Sequence, residues 1–363
     1  MRITANQVTL VRLVLLPLPI YMIYQGGHLW MLGALVVYIL LGLTDALDGY
    51  LARKYGSTPL GALLDPIADK IFLVAGFVPL ADHQIIPTTF VVVLFIRELA
   101  VTYLRSVALE EGFQFKTSAA AKLKTTVQMV GAGFMLLVWL YPKGPTIHVI
   151  FGILFAGSLV PMVLALAKGR KPSWMAWSAA TLVGAALATR ALLDADLALV
   201  AIITVIVGIT LYSGAEYAFG MRHVLAARFR RKPVEALRLA GLSLAVPVFC
   251  LPSLDRPDDP TVPILLLLAA EIASGGLDNS LAQYGHSRSA APDLIRSGIQ
   301  AVTGAFVLTS LLTLQHPVAA RVATVFALAV TLGDLGARFW RHRRDFAGSL
   351  RTPEAPAGRP SLT

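Results

Sequence analysis

Long apolar stretches, separated by short polar connections, follow one another along almost the whole chain. Because a helix needs roughly 20 mostly apolar residues to cross the hydrocarbon core of a bilayer, the pattern predicts about twelve membrane-spanning helices. Their approximate ranges are 8–24, 29–47, 60–81, 87–109, 119–140, 147–167, 174–193, 197–219, 237–253, 261–274, 298–315 and 317–336. The expected fold is therefore an all-α polytopic membrane protein.

The polar connections alternate in charge along the chain. One set is rich in Lys and Arg, as at 168–171 and 222–238, whereas the other set, as at 81–83 and 194–196, contains almost none. Membrane proteins keep Lys and Arg on the cytoplasmic side. The alternation and the even number of helices therefore predict that both termini lie in the cytoplasm.

The composition also indicates a lipid environment. Of the 363 residues, 56% are hydrophobic and only 14% are charged, whereas a soluble protein carries charge on about a quarter of its residues. The net charge of +10 comes from residues between the apolar stretches, where they set topology and attract anionic lipids, so we expect no nucleic-acid partner. The single cysteine, Cys250, excludes an internal disulfide and a cysteine-based metal cluster.

Both ends of the chain have polar features. Arg12 interrupts the first apolar stretch, which also lacks a small-residue cleavage site, so we do not interpret this stretch as a removable signal peptide. The amphipathic segment 2–12 has two interpretations: Asn6, Thr9 and Arg12 lie near lipid phosphates, or the segment is a simple interfacial anchor. Residues 341–363, which become Pro-rich, are expected to form a disordered cytoplasmic tail.

Four aspartates lie near the cytoplasmic ends of the second and third predicted helices. Asp45 and Asp48 are three residues apart, and Asp65 and Asp69 are four apart, so each pair lies on one face of its helix. The short connection 54–59 folds the helices back to back, and the four carboxylates can converge. Close carboxylates repel and resist burial, whereas Mg²⁺ and Mn²⁺ favour oxygen ligands. The pattern predicts a two-metal site suited to displacement at phosphorus; the alternative is ordinary solvated charges at helix ends.

The residues around these aspartates form a longer motif. It reads Asp45-x2-Asp48-Gly49-x2-Ala52-Arg53-x7-Gly61-x3-Asp65-x3-Asp69. In every fixed position this motif resembles the signature of the CDP-alcohol phosphotransferases. The resemblance implies a six-helix core in which the four aspartates hold two divalent cations, Mg²⁺ or Mn²⁺, and in which Asp69 is the general base for the acceptor hydroxyl. It assigns the binding of the CDP group to Gly49, Ala52, Arg53 and Gly61.

Four further stretches narrow the resemblance to one branch of the family. Residues 6–12, 64–70, 96–99 and 121–129 are similar to those of the bacterial phosphatidylglycerophosphate synthases. The resemblance implies transfer of a phosphatidyl group from CDP-diacylglycerol to sn-glycerol 3-phosphate, with release of CMP, at the cytoplasmic face of a bacterial inner membrane. An acceptor such as inositol phosphate, serine or a second lipid is the alternative.

A phosphorylated acceptor is a dianion and needs cations beside the metal site. Arg97, Arg105, Lys122 and Lys124 are the candidates, since they fall near the cytoplasmic ends of the fourth and fifth predicted helices. For Arg105, Lys116, Lys122 and Lys124 the alternative is a charge that only sets topology. Arg97 lies deeper in its apolar segment, where a lone charge is costly, and this favours a functional role.

The chain is longer than a six-helix core requires, and two interpretations of its sixth helix are open. Residues 212–217 resemble the end of the last helix of the synthases, which makes 197–219 the sixth helix and 147–193 an inserted hairpin. Alternatively, 147–167 is the sixth helix and everything after it is additional. The first interpretation is preferred and gives a catalytic domain over 1–225.

The additional transmembrane helices, within 233–340, contain a weak internal similarity. Residues 277–285 resemble 47–56, which pairs Asp278 with Asp48; chance similarity between small-residue helix ends is the alternative. A degenerate second copy of this kind lacks the carboxylates for two metals and is expected to be inert. Packing, dimerisation and lipid access are open roles for it, and a homodimer is also open.

Two other classes of protein compete with the enzyme. A transporter would show two comparable halves with polar residues at mid-membrane, but the acids here cluster at one cytoplasmic edge in the first half. A catalytically inactive scaffold would not need the intact motif of four aspartates. The sequence therefore predicts a membrane-bound CDP-alcohol phosphatidyltransferase.

Overall fold

The computed structural model describes residues 5–55, 59–112, 119–255, 261–286, 290–311 and 316–347. Within these ranges the chain forms α-helices, one short 3₁₀ helix over Leu251–Asp255 and no strand, which confirms the predicted all-α class. The helices are α1 (Ala5–Leu15), α2 (Pro17–Gln25), α3 (His28–Tyr55), α4 (Pro59–Asp82), α5 (Thr88–Glu110), α6 (Ala119–Leu140), α7 (Thr146–Ala167), α8 (Trp174–Leu192), α9 (Ala195–Gly220), α10 (Arg222–Arg231), α11 (Val234–Phe249), α12 (Thr261–Gln283), α13 (Ala290–Thr309) and α14 (Pro317–Ala347).

Eight helical stretches in the described ranges are long and apolar enough to cross a membrane. They are Ala5–Gln25, His28–Leu51, Leu123–Leu140, Thr146–Ala167, Ala195–Gly220, Val234–Asp255, Thr261–Gln283 and Pro317–Phe346. The chain is therefore a multi-pass α-helical membrane protein. Each of the twelve predicted ranges is largely helical where the structure describes it, but α4, α5, α8 and α13 are not among the eight. In α4 the reason is the charge carried by Asp65, Asp69 and Lys70.

Three of the predicted ranges differ most from the observed helices. The first range is divided into α1 and α2 at Pro17, since proline has no N–H group for the helix hydrogen bond. The tenth range ends at Gln283 instead of residue 274, because its last third is polar and glycine-rich yet buried in the protein. The last range continues to Ala347, so residues 341–347, which were expected in the disordered tail, are helical; the rest of that tail lies outside the described residues.

The largest apolar core is formed by residues of α3, α4, α5, α6 and α9 and continues into α11 and α12. Tyr38 of α3 stacks on Phe72 of α4 with ring centroids 4.2 Å apart. Gly76 faces this pair, and a Cβ atom there would lie 2.5 Å from the Tyr38 hydroxyl, so a larger residue would force the helices apart. The helices α1 and α2 pack on α3 and α4. This packing fixes α3 and α4, which carry the aspartates, relative to each other.

The remaining helices fall into two groups. The helices α7 and α8 pack chiefly against each other, and only Ile147 and Phe151 of α7 are buried. By contrast, α9 packs along both α5 and α6. The helices α11 to α14 form a second bundle, which we call the C-terminal bundle. Its helix α11 contacts α5, and its helix α12 contacts both α4 and α5. The two bundles therefore share an interface built on α4 and α5.

Candidate active site

Arg12 of α1 lies between the two aspartate pairs and is fully buried. Its Nη1 atom is 2.5 Å from Asp45 Oδ1, and its Nη2 atom is 3.2 Å from Asp69 Oδ1 and 3.7 Å from Asp48 Oδ2. One guanidinium group thus contacts carboxylates from both α3 and α4. The convergence that the spacing predicts is present in the structure.

Thr9, one helical turn before Arg12, completes the arrangement. Its hydroxyl Oγ1 lies 3.1 Å from Asp48 Oδ2 and 2.9 Å from Asp65 Oδ1, within hydrogen-bonding distance of both carboxylates. Thr9 and Arg12 are the buried residues of α1, so the polar face of this helix is directed at the aspartates. We call Asp45, Asp48, Asp65 and Asp69 the acidic cluster.

The acidic cluster has the donor set that a hard divalent cation requires. Four carboxylates surround a single guanidinium group, so within this group of five side chains the negative charge exceeds the positive charge by three when all four acids are ionised. The Nε atom of Arg12 is buried and has no hydrogen-bond partner among the described residues. Carboxylate oxygens are the ligands that Mg²⁺ and Mn²⁺ prefer. The residues present therefore fit divalent metal ions.

Cations lie directly beside the acidic cluster. Lys70 follows Asp69 in α4 and interacts electrostatically with Glu98, Lys124 and Arg105. Lys124 of α6 interacts with Asp69 as well. Lys70, Arg105 and Lys124 form what we call the basic cluster. A ligand phosphate placed there would lie next to groups bound by the aspartates, and charge-assisted contacts of this kind are among the strongest in proteins.

Glu98 of α5 anchors Lys124 of the basic cluster and is only 2% exposed. Its Oε1 atom accepts hydrogen bonds from Lys124 Nζ at 2.7 Å, Gln128 Nε2 at 3.0 Å and Arg97 Nη1 at 3.1 Å. Gln128 Nε2 also lies 3.1 Å from Thr210 Oγ1 of α9. A buried carboxylate with this many partners is strongly anchored, and through it α5, α6 and α9 are tied together.

Arg97 has a different position from the one expected of an acceptor ligand. Its Nε atom donates to the Thr210 carbonyl at 2.9 Å, and its Nη2 atom donates to Ser213 Oγ at 3.1 Å. Gly214 allows this approach, since a Cβ atom there would lie 3.0 Å from the Arg97 side chain. With Glu98 as the third partner, Arg97 joins α5 to α9 inside the protein.

The structure describes some of the other predicted site residues. Gly49 is half-buried next to Asp48, and Gly61 is buried near the start of α4. Arg105 is exposed on α5, within reach of Tyr217. The side chains of Ala52, Arg53 and Lys122 lie outside the described residues, so their predicted roles in binding the CDP group and the acceptor stay predictions.

The contacts that Thr9, Arg12, Lys70 and Glu98 make at the site were not predicted from the sequence. Neither interpretation of the amphipathic start, a lipid-phosphate contact or a simple anchor, describes how Thr9 and Arg12 contact the aspartates. One signal was present: Arg12 is a lone charge in an apolar stretch, and such a charge needs a partner in the membrane. Glu98 beside Arg97 gave a similar signal.

Replacing Arg12 by glutamine is expected to make the stability of the protein depend on divalent cations. Without the guanidinium group the carboxylates repel one another, so in EDTA the thermal unfolding midpoint in detergent should fall by about 1–2 °C for each kcal/mol lost. Added Mg²⁺ should raise the midpoint of the variant to that of the unaltered protein. The exposed Arg170→Gln variant is the control. Equal midpoints in EDTA for Arg12→Gln and the unaltered protein would show that Arg12 does not neutralise the cluster.

Known proteins resemble the part of the chain that carries this site. The model of the CDP-alcohol phosphatidyltransferase family matches residues 2–166. The chain is 34% identical to a "Probable phosphatidylglycerophosphate synthase" of Mycobacterium tuberculosis (strain ATCC 25618 / H37Rv), over 44% of this chain and 76% of the relative. It is also 34% identical to a CDP-diacylglycerol–glycerol-3-phosphate 3-phosphatidyltransferase of Wigglesworthia glossinidia brevipalpis, over 47% of this chain and 92% of the relative. The similarity and the four converging aspartates lead to one conclusion: the chain belongs to the CDP-alcohol phosphatidyltransferase family.

Proposed function

We propose that the protein transfers the phosphatidyl group of CDP-diacylglycerol to sn-glycerol 3-phosphate, which yields phosphatidylglycerophosphate and CMP. The observation that carries the proposal is that the acidic cluster lies beside the basic cluster, close enough for Asp69 to interact electrostatically with Lys70 and Lys124. The first suits a pyrophosphate with its cations, and the second suits a phosphorylated acceptor. Relatives named as glycerol-3-phosphate 3-phosphatidyltransferases support this choice of acceptor.

The acidic cluster is the part of the site that would hold two divalent cations. Asp45 and Asp48 supply oxygens from α3, and Asp65 and Asp69 supply oxygens from α4. Bound cations would neutralise the charge that develops on the phosphate oxygens and on the leaving CMP. Gly49 and Gly61, with Ala52 and Arg53, are proposed to bind the CDP group, because small residues let a flat ligand approach the helix backbone.

Asp69 is proposed as the general base of the reaction. It belongs to the acidic cluster and also interacts electrostatically with Lys70 and Lys124 of the basic cluster. An acceptor whose phosphate is bound by these lysines would present its hydroxyl group towards Asp69. The carboxylate would accept the hydroxyl proton as the oxygen attacks phosphorus.

Lys124, Arg105 and Lys70 are proposed to bind the acceptor phosphate, with Lys122 as a further candidate. Arg97 is assigned an indirect role, since its donors are directed at Glu98 and α9. It would keep Glu98, and through Glu98 the ammonium group of Lys124, in position. Lys124 would therefore contact the ligand, whereas Arg97 would hold Lys124 in position through Glu98.

Lys124→Gln is expected to raise KM for glycerol 3-phosphate by about 10- to 100-fold, because a hydrogen bond to a charged group contributes about 1.5–3 kcal/mol. KM for CDP-diacylglycerol should change much less. Initial rates at varied acceptor concentration measure both constants. Lys168→Gln, at an exposed position after α7, is the control. An unchanged KM for glycerol 3-phosphate would remove Lys124 from the acceptor site.

The proposed reaction is tested directly with purified protein in detergent. The protein, CDP-diacylglycerol and radiolabelled glycerol 3-phosphate are incubated with Mg²⁺ or Mn²⁺, and labelled lipid and CMP are measured. We expect equal amounts of both products and none in EDTA. In parallel reactions, serine, inositol phosphate or a lipid alcohol replaces glycerol 3-phosphate as the acceptor. CMP release with one of these and not with glycerol 3-phosphate would overturn the choice of acceptor.

We also propose a topology for the chain. All twelve predicted ranges cross the membrane, both termini lie in the cytoplasm, and the acidic cluster faces the cytoplasm of a bacterium at its inner membrane. The alternation of basic connections supports this orientation. The packing of α9 along α5 and α6, and the mutual packing of α7 and α8, support α9 as the sixth core helix and α7–α8 as an inserted hairpin in the catalytic domain 1–225.

A further inference from the structure

A buried polar network connects three helices of the C-terminal bundle. Gln300 Nε2 of α13 donates to Glu271 Oε2 of α12 at 2.8 Å and lies 2.9 Å from Thr331 Oγ1 of α14. Arg296 Nη2, one turn before Gln300, lies 3.2 Å from Glu271 Oε1. These four side chains are almost completely buried. We call them the C-terminal network.

The network around Glu98 has the same composition and the same order along the chain. A glutamate on one helix accepts from a glutamine on the next, the glutamine contacts a threonine on a third, and a cation four residues before the glutamine contacts the glutamate. The matching pairs are Glu98 and Glu271, Lys124 and Arg296, Gln128 and Gln300, and Thr210 and Thr331. Both threonine hydroxyls also donate to the carbonyl group four residues earlier.

The helices that carry the two glutamates match residue by residue. Both α5 and α12 contain 23 residues and begin with a threonine that follows a proline. The glutamate is the eleventh residue of each helix. Fourteen residues after it stands a glycine, Gly112 or Gly285, with a positive φ of 74° or 80°, a conformation that glycine adopts readily. Helix α12 therefore corresponds to α5, which differs from the pairing of Asp278 with Asp48 that the sequence suggests.

Helix α11 corresponds in the same way to α4. A basic residue, Lys70 in α4 and Arg238 in α11, stands nine residues before a proline inside the helix, Pro79 or Pro247. In this register the positions of the aspartates of α4 are occupied by Pro233 and Leu237. The C-terminal bundle therefore has no carboxylate at the two positions that correspond to Asp65 and Asp69 of α4.

The spacing between the glutamine and the threonine of each network shows where the two series of helices differ in length. Gln128 and Thr210 are 82 residues apart, whereas Gln300 and Thr331 are 31 apart. The longer interval contains α7 and α8, and the shorter one contains only the end of α13, the start of α14 and the connection between them. Without the hairpin the two series run in parallel: α4, α5, α6 and α9, then α11, α12, α13 and α14.

The two series pack on each other reciprocally. Helix α4 packs on α12, α11 packs on α5, and α5 meets α12 at the centre. Thr88 at the start of α5 contacts Asp255, which follows α11, at 2.5 Å; Thr261 at the start of α12 contacts Asp82 at the end of α4, at 3.3 Å. Each of these contacts between the first series and the second is repeated with the two roles exchanged. An interface with this property has the form of an isologous, two-fold dimer.

The interface between the two series is closely packed. A Cβ atom on Gly275 of α12 would lie 2.8 Å from Thr102 Cγ2 of α5, and one on Gly276 would lie 2.5 Å from Ile67 Cγ1 of α4. The Tyr103 hydroxyl of α5 donates to Glu271 inside the C-terminal network. Small residues that let helices approach closely are typical of helix interfaces in membranes.

We propose that α11–α14 are a second copy of α4, α5, α6 and α9 that has lost its metal ligands, and that this copy occupies the face of α4 and α5 on which a second chain would otherwise pack. The partner that this face fits is thus part of the same polypeptide. The particle in the membrane contains one chain and one acidic cluster, and a homodimer through this face is excluded.

Cysteine cross-linking in the full chain tests the proposal without an activity assay. With Cys250 replaced by serine, Thr102→Cys and Gly275→Cys together should form a disulfide within one chain under mild oxidation, because their positions are as close as a disulfide needs. Thr102→Cys alone should give no covalent dimer. Thr102→Cys with Gly157→Cys on α7 is the control pair and should not cross-link.

The mass of the unaltered protein in nanodiscs provides the second measurement and does not depend on any variant folding. One chain per particle is expected. A two-chain particle would contradict the proposed single chain per particle. A covalent dimer from Thr102→Cys alone would overturn the proposed interface, since it would place a second chain on α5. Free thiols in the Thr102→Cys, Gly275→Cys pair after oxidation would also count against it. Because no step uses substrate, failure of the proposed reaction would leave these results unaffected.

Discussion

Asp69→Asn is expected to reduce the rate of phosphatidyl transfer by at least about 10²- to 10⁴-fold, the contribution typical of a general base. The amide cannot accept the proton of the acceptor hydroxyl, and it also removes a negative ligand from the acidic cluster. Release of CMP from CDP-diacylglycerol, measured with purified protein at saturating Mg²⁺, reports the rate. The variant should keep its fold, because Asp69 is partly exposed, at 37% of its side chain, and the amide can still accept from Arg12.

The matched control for Asp69→Asn is Asp196→Asn, at an exposed position in the first turn of α9. It makes the same chemical change far along the chain from the acidic cluster and should leave the rate unchanged. A monodisperse elution profile and an unaltered unfolding midpoint for both variants would separate lost catalysis from lost structure. Near-normal turnover by a folded Asp69→Asn protein would remove Asp69 from the role of base.

Glu98→Ala is expected to give the largest loss of stability. The substitution leaves Arg97 and Lys124 buried without their common carboxylate, and breaking a buried ion pair from one side costs about 3–5 kcal/mol. Thermal unfolding in detergent measures this loss. The protein that still folds should also bind glycerol 3-phosphate more weakly, because the ammonium group of Lys124 is no longer held at the site.

Glu271→Ala is the informative comparison for Glu98→Ala. Glu271 is as deeply buried and has a matching set of partners, so its loss should lower the unfolding midpoint by a similar amount. It should not change KM for either substrate in the protein that remains folded, because no aspartates of the acidic cluster lie in its bundle. An unchanged midpoint for Glu98→Ala would show that the carboxylate does not anchor α6 and α9.

The acidic cluster was predictable from the sequence because its geometry is local. The spacings within each aspartate pair fix their helix faces, and a short connection between α3 and α4 leaves these faces little freedom. The predicted all-α class is equally local, since every long apolar stretch formed a helix. The helices α4 and α5 carry charged residues of the site and are not among the eight long apolar stretches.

The contacts of α1 were not predictable in this way. Arg12 and Thr9 reach their aspartates across 33 to 57 residues of chain, and no spacing rule relates positions so far apart. A charge in an apolar stretch indicates that a partner exists but does not identify it. The same limit applies to Arg97, whose depth in the membrane indicated a role while its contacts with α9 could not be foreseen.

The correspondence between the two bundles was hidden for a different reason. Its residues are few, widely separated and joined only through side-chain hydrogen bonds between helices. A comparison of contiguous residues instead found the small-residue end of α12, where glycines and Asp278 resemble the start of the motif. Apolar positions between the matching residues have diverged, because many apolar side chains fill a helix interface equally well.

The interface on α4 and α5 has a consequence for how such a protein can change over time. In a symmetric pair of identical chains every substitution occurs twice, and a change that suits one subunit must also suit the other. Once both partners are encoded in one polypeptide, each position is inherited separately. The C-terminal bundle can then accept residues such as Pro233 and Leu237 at sites where its counterpart must keep acids, while it continues to pack against that counterpart.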